Sequence, residues 1–264
     1  MPQSILVFDS GVGGLSVLCE IQKQLPDYAY YYLFDNARLP YGKLAEDELI
    51  SGAVSLITSV VNKLTPSLVV IACNTASTLI LDELRQQIDI PVVGVVPAIK
   101  PAALQSKTKH IGVLATPGTI ERDYTQTLID NYAKGCRVSL FSANELVIIA
   151  ERKLEAKPIK TMELERQLSE IQGTDIDVLV LGCTHFPLLK EEIQQIVGEK
   201  INLIDSGKAI ANRVVALLSE SPESRQNETD VRAWYTTQSI NQALEESLTK
   251  RGFKKISPIT ELLG

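Results

Sequence analysis

The sequence predicts an α/β protein built from two similar parallel-sheet α/β domains related by pseudo-symmetry, with a site in the cleft between them. Three observations predict it. Short apolar runs of strand character alternate strictly with amphipathic helical stretches, as in βαβ units with right-handed crossovers. The pattern starts again near Pro97. Corresponding motifs also stand about 110 residues apart: Cys73 with Cys183, and "PVVGVVPA" with "INLIDSGKA". "LVFDSGVGG" and "GVLATPGTI" are offset by slightly less.

The elements follow in order. "SILVF" (4–8) is a buried strand, and "GGLSVLCEIQKQLP" has apolar residues at helical spacing and stops at Pro26. "YAYYYLF" (28–34) is a second strand, and "LAEDELISGAVSLITSVVNKL" (44–64) a long amphipathic helix. "SLVVIAC" is a strand, "ASTLILDELRQQI" a helix and "PVVGVV" a strand. In the second half "HIGVLAT" (110–116) is a strand, "TIERDYTQTLIDNY" one helix and "CRVSLFS" a strand. Two helical segments lie between about Glu145 and Gln172. "DVLVLGC", "PLLKEEIQQIV" and "INLID" then give strand, helix and strand. After "IDSGKA" come a helix, a strand "VRAWYTT" (231–237), another helix and a tail, expected to return to the first half. The expected domains are residues 1–97 plus 207–264, and 98–206. "SESPESRQNETD" (219–230) reads as a solvated surface loop.

Composition narrows the function. The 264 residues are 45% hydrophobic and 22% charged, an ordinary globular mixture with enough apolar content for a core. The net charge is −6 and no basic run stands out, which argues against a nucleic-acid partner. No apolar run approaches the roughly 18 residues of a membrane span. The opening "MPQSILVF" lacks the features of a signal peptide, so a cytoplasmic location is expected. There the four cysteines, Cys19, Cys73, Cys136 and Cys183, need not pair. No CxxC pair occurs and only His110 and His185 join them, so no metal site is expected.

Ligands of open parallel sheets bind at the carboxyl ends of strands. Four polar clusters fall there: Asp9-Ser10-Gly11, Cys73-Asn74-Thr75, Thr116-Pro117-Gly118 and Cys183-Thr184-His185. If the halves face each other, both cysteines point into one cleft. Each is expected near a helix N-terminus, where free N–H groups and the dipole favour a thiolate. Those N–H groups, with the hydroxyls of Ser10, Thr75 and Thr184, are candidates to hold a substrate carboxylate.

Two matched thiols suit inversion of a stereocentre without a cofactor. One base lifts a proton from one face and a second acid returns one to the other. Free cysteine titrates near 8.5, so one thiolate and one thiol can coexist near neutrality after a modest shift. The α-proton is very weakly acidic, so fixed donors and exclusion of water must stabilise a carbanion-like state. Cys19, in a helical apolar pattern, and Cys136, opening a strand, are read as core, and His110 as structural. Asp9 has a second reading as a cap for the helix beginning near Gly13. Two rival motifs fail. "DSGVGGLS", with Asp35 ending the second strand, partly matches a dinucleotide fingerprint, but Ser16 occupies the third glycine position. A Cys-x5-Arg phosphatase loop is excluded by Leu79 and Leu189.

"FDSGVGGLSVL", "LPYG" (39–42), "ACNTAS" (72–77), "GVLATPGT" (112–119), "LGCTHFPLL" (181–189) and "IDSG" (204–207) together resemble, in order, the glutamate racemases of the aspartate/glutamate racemase family. The resemblance spans roughly residues 5 to 237. It implies cofactor-independent interconversion of L- and D-glutamate, supplying D-glutamate for peptidoglycan. It implies that Cys73 deprotonates the D-enantiomer and Cys183 the L-enantiomer. Asp9, Ser10, Tyr41, Gly42, Asn74, Thr75, Thr184 and His185 match substrate-contact positions, with Asp9 and His185 also matching acid–base helpers. Thr116, at its strand end, joins the expected substrate contacts. Where many relatives carry a proline-containing "VPLVE", this chain has "VIIAE", ending in Glu151, which is carried as a helper on the Cys183 side. The chain lacks the N-terminal extension of relatives activated by a cell-wall nucleotide precursor, so such activation stays open. A homodimer is expected from the habit of relatives. A racemase of the same superfamily acting on aspartate or another amino acid, and a non-catalytic small-anion binding module, are the competing readings.

Overall fold

The computed structural model of the chain describes residues 3–219 and 230–264. The first half runs β1 (Ser4–Asp9), α1 (Leu15–Gln24), β2 (Ala29–Phe34), α2 (Glu46–Leu64), β3 (Leu68–Ile71), α3 (Asn74–Gln87) and β4 (Val92–Gly94). The second runs α4 (Ile99–Gln105), β5 (His110–Ala115), α5 (Pro117–Ile120), α6 (Asp123–Tyr132), β6 (Arg137–Ser142), α7 (Glu145–Leu154), α8 (Thr161–Leu168), β7 (Val178–Leu181), α9 (Lys190–Val197) and β8 (Asn202–Ile204). Then α10 (Gly207–Ser219), β9 (Val231–Tyr235), α11 (Gln242–Thr249), β10 (Lys255–Pro258) and α12 (Thr260–Leu263) follow.

Two sheets result, and the strand pairs in both are parallel. One has the order β10-β9-β2-β1-β3-β4, the other β6-β5-β7-β8. The central strands read as unbroken apolar runs because helices cover both faces. Successive residues of a strand point to opposite faces. So Ile5, Val7, Leu68 and Val70 join the layer under α1 and α10, while Leu6, Phe8, Val69 and Ile71 join the layer under α2 and α3. The second sheet repeats this, with Leu179 and Leu181 on one face and Val178 and Val180 on the other. As expected, β9 returns to the first sheet, where it pairs with β2. The chain passes between sheets after β4 and again after β8. The Ser206 hydroxyl donates to the Val96 carbonyl and ties the two crossings together.

Four expectations change. Residues 119–132 are not one helix. The backbone of Arg122 is extended, and its guanidinium turns back to the Gly118 carbonyl (2.7 Å) and across to Glu46 (2.5 Å). The C-terminal tail contains β10, an edge strand of four residues, too short for its periodicity to register. Cys19 is exposed, not core, because Leu15, Leu18 and Ile21 carry the buried stripe of α1. Asp9 caps no helix. Its Oδ1 accepts the Gly11 N–H, and α1 begins four residues later at Leu15.

Cys136 is half-buried, its thiol facing the Ala103 carbonyl at 3.8 Å. His110 is structural, held by Asp175 on Nδ1 and Ser139 on Nε2. Most of the expected loop 219–230, residues 220–229, lies outside the described residues. Among the described residues no helix is long and apolar enough to cross a membrane, and no group of three or more His, Cys, Asp or Glu side chains stands together as a metal site.

Candidate active site

Cys73 follows β3 and Cys183 follows β7, and those strands neighbour β1 and β5 in equivalent positions. Parallel pairing brings the carboxyl ends of all four to one side of their sheets, so the two thiols meet between the halves. Both are buried. Their charges act on one another, since Cys183 contributes to the raised pKa of Cys73.

The two surroundings differ. Cys73 is the N-cap of α3, and its sulfur accepts the Ala76 N–H at 3.5 Å. Ser10 Oγ lies 3.6 Å away. The helix N-terminus was expected to favour a thiolate. Instead burial, with the Asp9 charge second, pushes the Cys73 thiol up to about 12, against smaller help from the Ala76 N–H and the Ser10 hydroxyl. Cys183 does not sit at an α-helix N-terminus. A 3-10 turn, Phe186–Leu189, intervenes, and α9 starts only at Lys190. Its partner is a side chain, His185 Nδ1, at 3.8 Å.

His185 Nε2 in turn contacts Glu151 Oε1 at 2.6 Å, and that same oxygen accepts the Val12 N–H at 2.8 Å. Burial opposes a charge on His185. Cys183 and Glu151, flanking the ring, outweigh it and raise the imidazole well above its ordinary range. As an imidazolium the ring donates both protons, one to sulfur and one to carboxylate. On the other side Asp9 accepts the Thr184 hydroxyl at 2.9 Å and the Gly11 N–H at 2.8 Å. Burial lifts Asp9 to about 6, even though the His185 charge pulls it down.

The glycines of "DSGVGG" now have a reason. A Cβ on Gly11 would overlap the Glu151 carboxylate, and one on Gly13 would overlap the His185 ring. The space a dinucleotide pyrophosphate would need is filled by this pair. Asp35, the other half of that rival motif, holds the Tyr41 hydroxyl, Arg38 Nε (2.6 Å) and Thr236 Oγ1 (2.7 Å).

The remaining expected residues gather beside the thiols. Thr75 Oγ1 lies 3.1 Å from Thr116 Oγ1 and 3.3 Å from Thr119 Oγ1, and the last two are 3.2 Å apart. Thr119 was missed in the sequence, although it ends the quoted "GVLATPGT". Tyr41 is buried with its hydroxyl committed to Asp35, so only its backbone and that of Gly42 remain for a ligand. Gly42 rests against Thr116, across the cleft. Asn74 Nδ2 is buried without a partner, in a cavity that Cys183 and Thr184 also line. That cavity, about 10 Å³, has room for about one water at most. Of the expected hydroxyls, Thr184 is engaged by Asp9, whereas Ser10 faces Cys73.

Fold and site together define a pseudo-symmetric α/β protein with two buried thiols in the cleft between its halves, one under the charge of Asp9 and the other beside His185. The Asp/Glu/hydantoin racemase family model matches residues 10–214, and the chain belongs to that family. A glutamate racemase of Shewanella sp. (strain MR-7) is 53% identical over 99% of this chain and 98% of its own. The crystal structure of Escherichia coli glutamate racemase, in complex with L-glutamate and the activator UDP-MurNAc-Ala, is 41% identical, superposes with a TM-score of 0.92, and covers 98% of both chains. A glutamate racemase isoform from Bacillus anthracis is 30% identical with a TM-score of 0.80, over 97% of this chain and 96% of its own.

Proposed function

We propose that this chain interconverts L- and D-glutamate by a two-base mechanism without a cofactor. The observation that carries the reading is the pair of buried thiols, close enough to feel each other's charge and flanked by different proton-handling groups. From L-glutamate, the Cys183 thiolate takes the α-proton while Cys73, held as a thiol, gives its proton to the opposite face. The products are D-glutamate, a Cys183 thiol and a Cys73 thiolate, and the reverse reaction resets them. His185, backed by Glu151, places positive charge beside Cys183. The Asp9 charge acts on Cys73, and its carboxylate also accepts the Thr184 hydroxyl beside Cys183. The Asn74 amide, the Thr75 and Thr116 hydroxyls, the Gly42 backbone, Ser10 and Thr184 are assigned to the substrate's carboxylates and ammonium.

Glutamate is favoured over aspartate by the names of the relatives. A non-catalytic anion binder does not need two thiols. We read residues 1–97 with 207–264 as one domain and 98–206 as the other. The two chain crossings, clasped by Ser206 and Val96, support that division and a hinge there. Both thiols are buried, so glutamate reaches them only when the halves part. Supply of D-glutamate to peptidoglycan, a cytoplasmic location, a homodimer and response to a cell-wall nucleotide precursor belong to the same reading. A reducing compartment suits an enzyme that needs two free thiols, and the E. coli relative is the support for the activator.

The test is the circular dichroism of L-glutamate incubated with pure, metal-stripped protein. Decay of the signal to zero is expected. A flat trace overturns the assignment, and activity restored only by added metal or pyridoxal phosphate overturns the cofactor-free mechanism.

A further inference from the structure

Asn144 lies just before α7, outside every motif already discussed. It holds the N-cap position, yet its side chain caps nothing. Its Oδ1 is buried and has no hydrogen-bond partner. A buried amide group left open is destabilising, so such groups are normally paired in some state of the molecule. The place where it points is specific. A Cβ built on Gly42 would lie 3.2 Å from Asn144 Oδ1 and 3.6 Å from Thr116 Oγ1. Asn144 therefore looks onto the corner where Gly42 of one half meets Thr116 of the other. Seven residues on, about two helical turns, the same face of α7 presents Glu151 to the Val12 N–H. One helix thus reaches the first half's glycine backbone at both ends.

Resting on the glutamate reading, we infer that Asn144 is a specificity-determining residue that binds the side-chain carboxylate of the substrate. The amide's carbonyl and amino ends are nearly isosteric, and a half-turn of the group presents the N–H₂ to the corner. There it adds a donor to the Gly42 N–H and the Thr116 hydroxyl, against an anion in a site of low dielectric. In that orientation the Asn144 amino group donates to the carboxylate and the Oδ1 acceptor no longer faces the corner.

The test uses N144A, N144S and N144D in the full-length protein. Loss of one charge-assisted hydrogen bond predicts a KM for both glutamate enantiomers raised about tenfold in N144A, with kcat within about twofold. N144S keeps a donor and recovers part of the loss. N144D sets carboxylate against carboxylate and raises KM further than N144A. It also shifts inhibition in favour of glutamine, whose amide can donate to the new acid. A merely structural role would instead lower the unfolding temperature and kcat together, leaving the preference between glutamate and glutamine unchanged. Glutamate binding measured by calorimetry on the same set reads the inference without turnover. An inactive wild type that binds glutamate, weakly in N144D, sinks the racemase reading but not this one. A KM or dissociation constant in N144D within about twofold of wild type overturns the inference.

Discussion

Replacing Asp9 by asparagine is expected to stabilise the fold at neutral pH while crippling the enzyme. The carboxyl of Asp9 is fully buried, and burial raises it from 3.8 to about 6. Two units correspond to about 3 kcal/mol. Below the ordinary carboxyl range the group is protonated whether the chain is folded or not, and it costs nothing. Between about pH 4 and 6 the unfolded chain has released its proton and the folded chain has not, so stability falls as pH rises. Above 6 the full penalty stands. Integrated between about pH 4.5 and 7.5, the change is about 2 kcal/mol. Asparagine carries no such term, and it can still accept the Gly11 N–H and meet the Thr184 hydroxyl. The stability of D9N relative to wild type should therefore improve by about 2 kcal/mol across that interval. Urea unfolding of both proteins at the two pH values measures it. The change should also lower the Cys73 thiol, because the Asp9 charge is second only to burial in raising it. Racemisation should fall at least about tenfold, since removing a group that assists proton transfer typically costs that or more. A stability difference that does not move with pH would refute the claim that Asp9 is held up by burial. Full activity in D9N would refute its part in the chemistry.

Two further predictions concern the thiols and the glycines. In heavy water C73A should slowly exchange the α-proton of L-glutamate without net racemisation, and C183A should do the same for D-glutamate. NMR of the α-position decides this, and near-wild-type racemisation by either variant ends the two-base mechanism. G13A should displace the His185 ring and with it the Cys183 side of the site. We expect a loss of more than about tenfold in kcat, against a stability cost of about 1–3 kcal/mol for overpacking. Unchanged kcat would mean that the close approach of Gly13 to His185 has no functional purpose.

The sequence by itself determined the architecture, because strand and helix periodicities are local and the doubled motif fixes how often they repeat. Both thiols were legible for the same reason: each ends an apolar strand, and parallel pairing must carry strand ends to a common edge. Glu151 was reached through resemblance, on "VIIAE" alone. Only the tertiary structure shows it bridging His185 to the Val12 N–H, across 139 residues of chain. The purpose of Gly11 and Gly13 was equally hidden. A glycine-rich turn after a strand looks the same whether it admits a phosphate or a neighbouring side chain, and what approaches it comes from the other half. Cys183 was expected to lean on a helix dipole and leans on His185 instead, since a 3-10 turn and an α-helix begin with the same residues. The contrast between the two cysteines also came from packing. Their sequence contexts match, but the charge of Asp9 falls toward Cys73 and the imidazole toward Cys183. Burial and the approach of distant charges set proton affinities, and neither is written in local spacing.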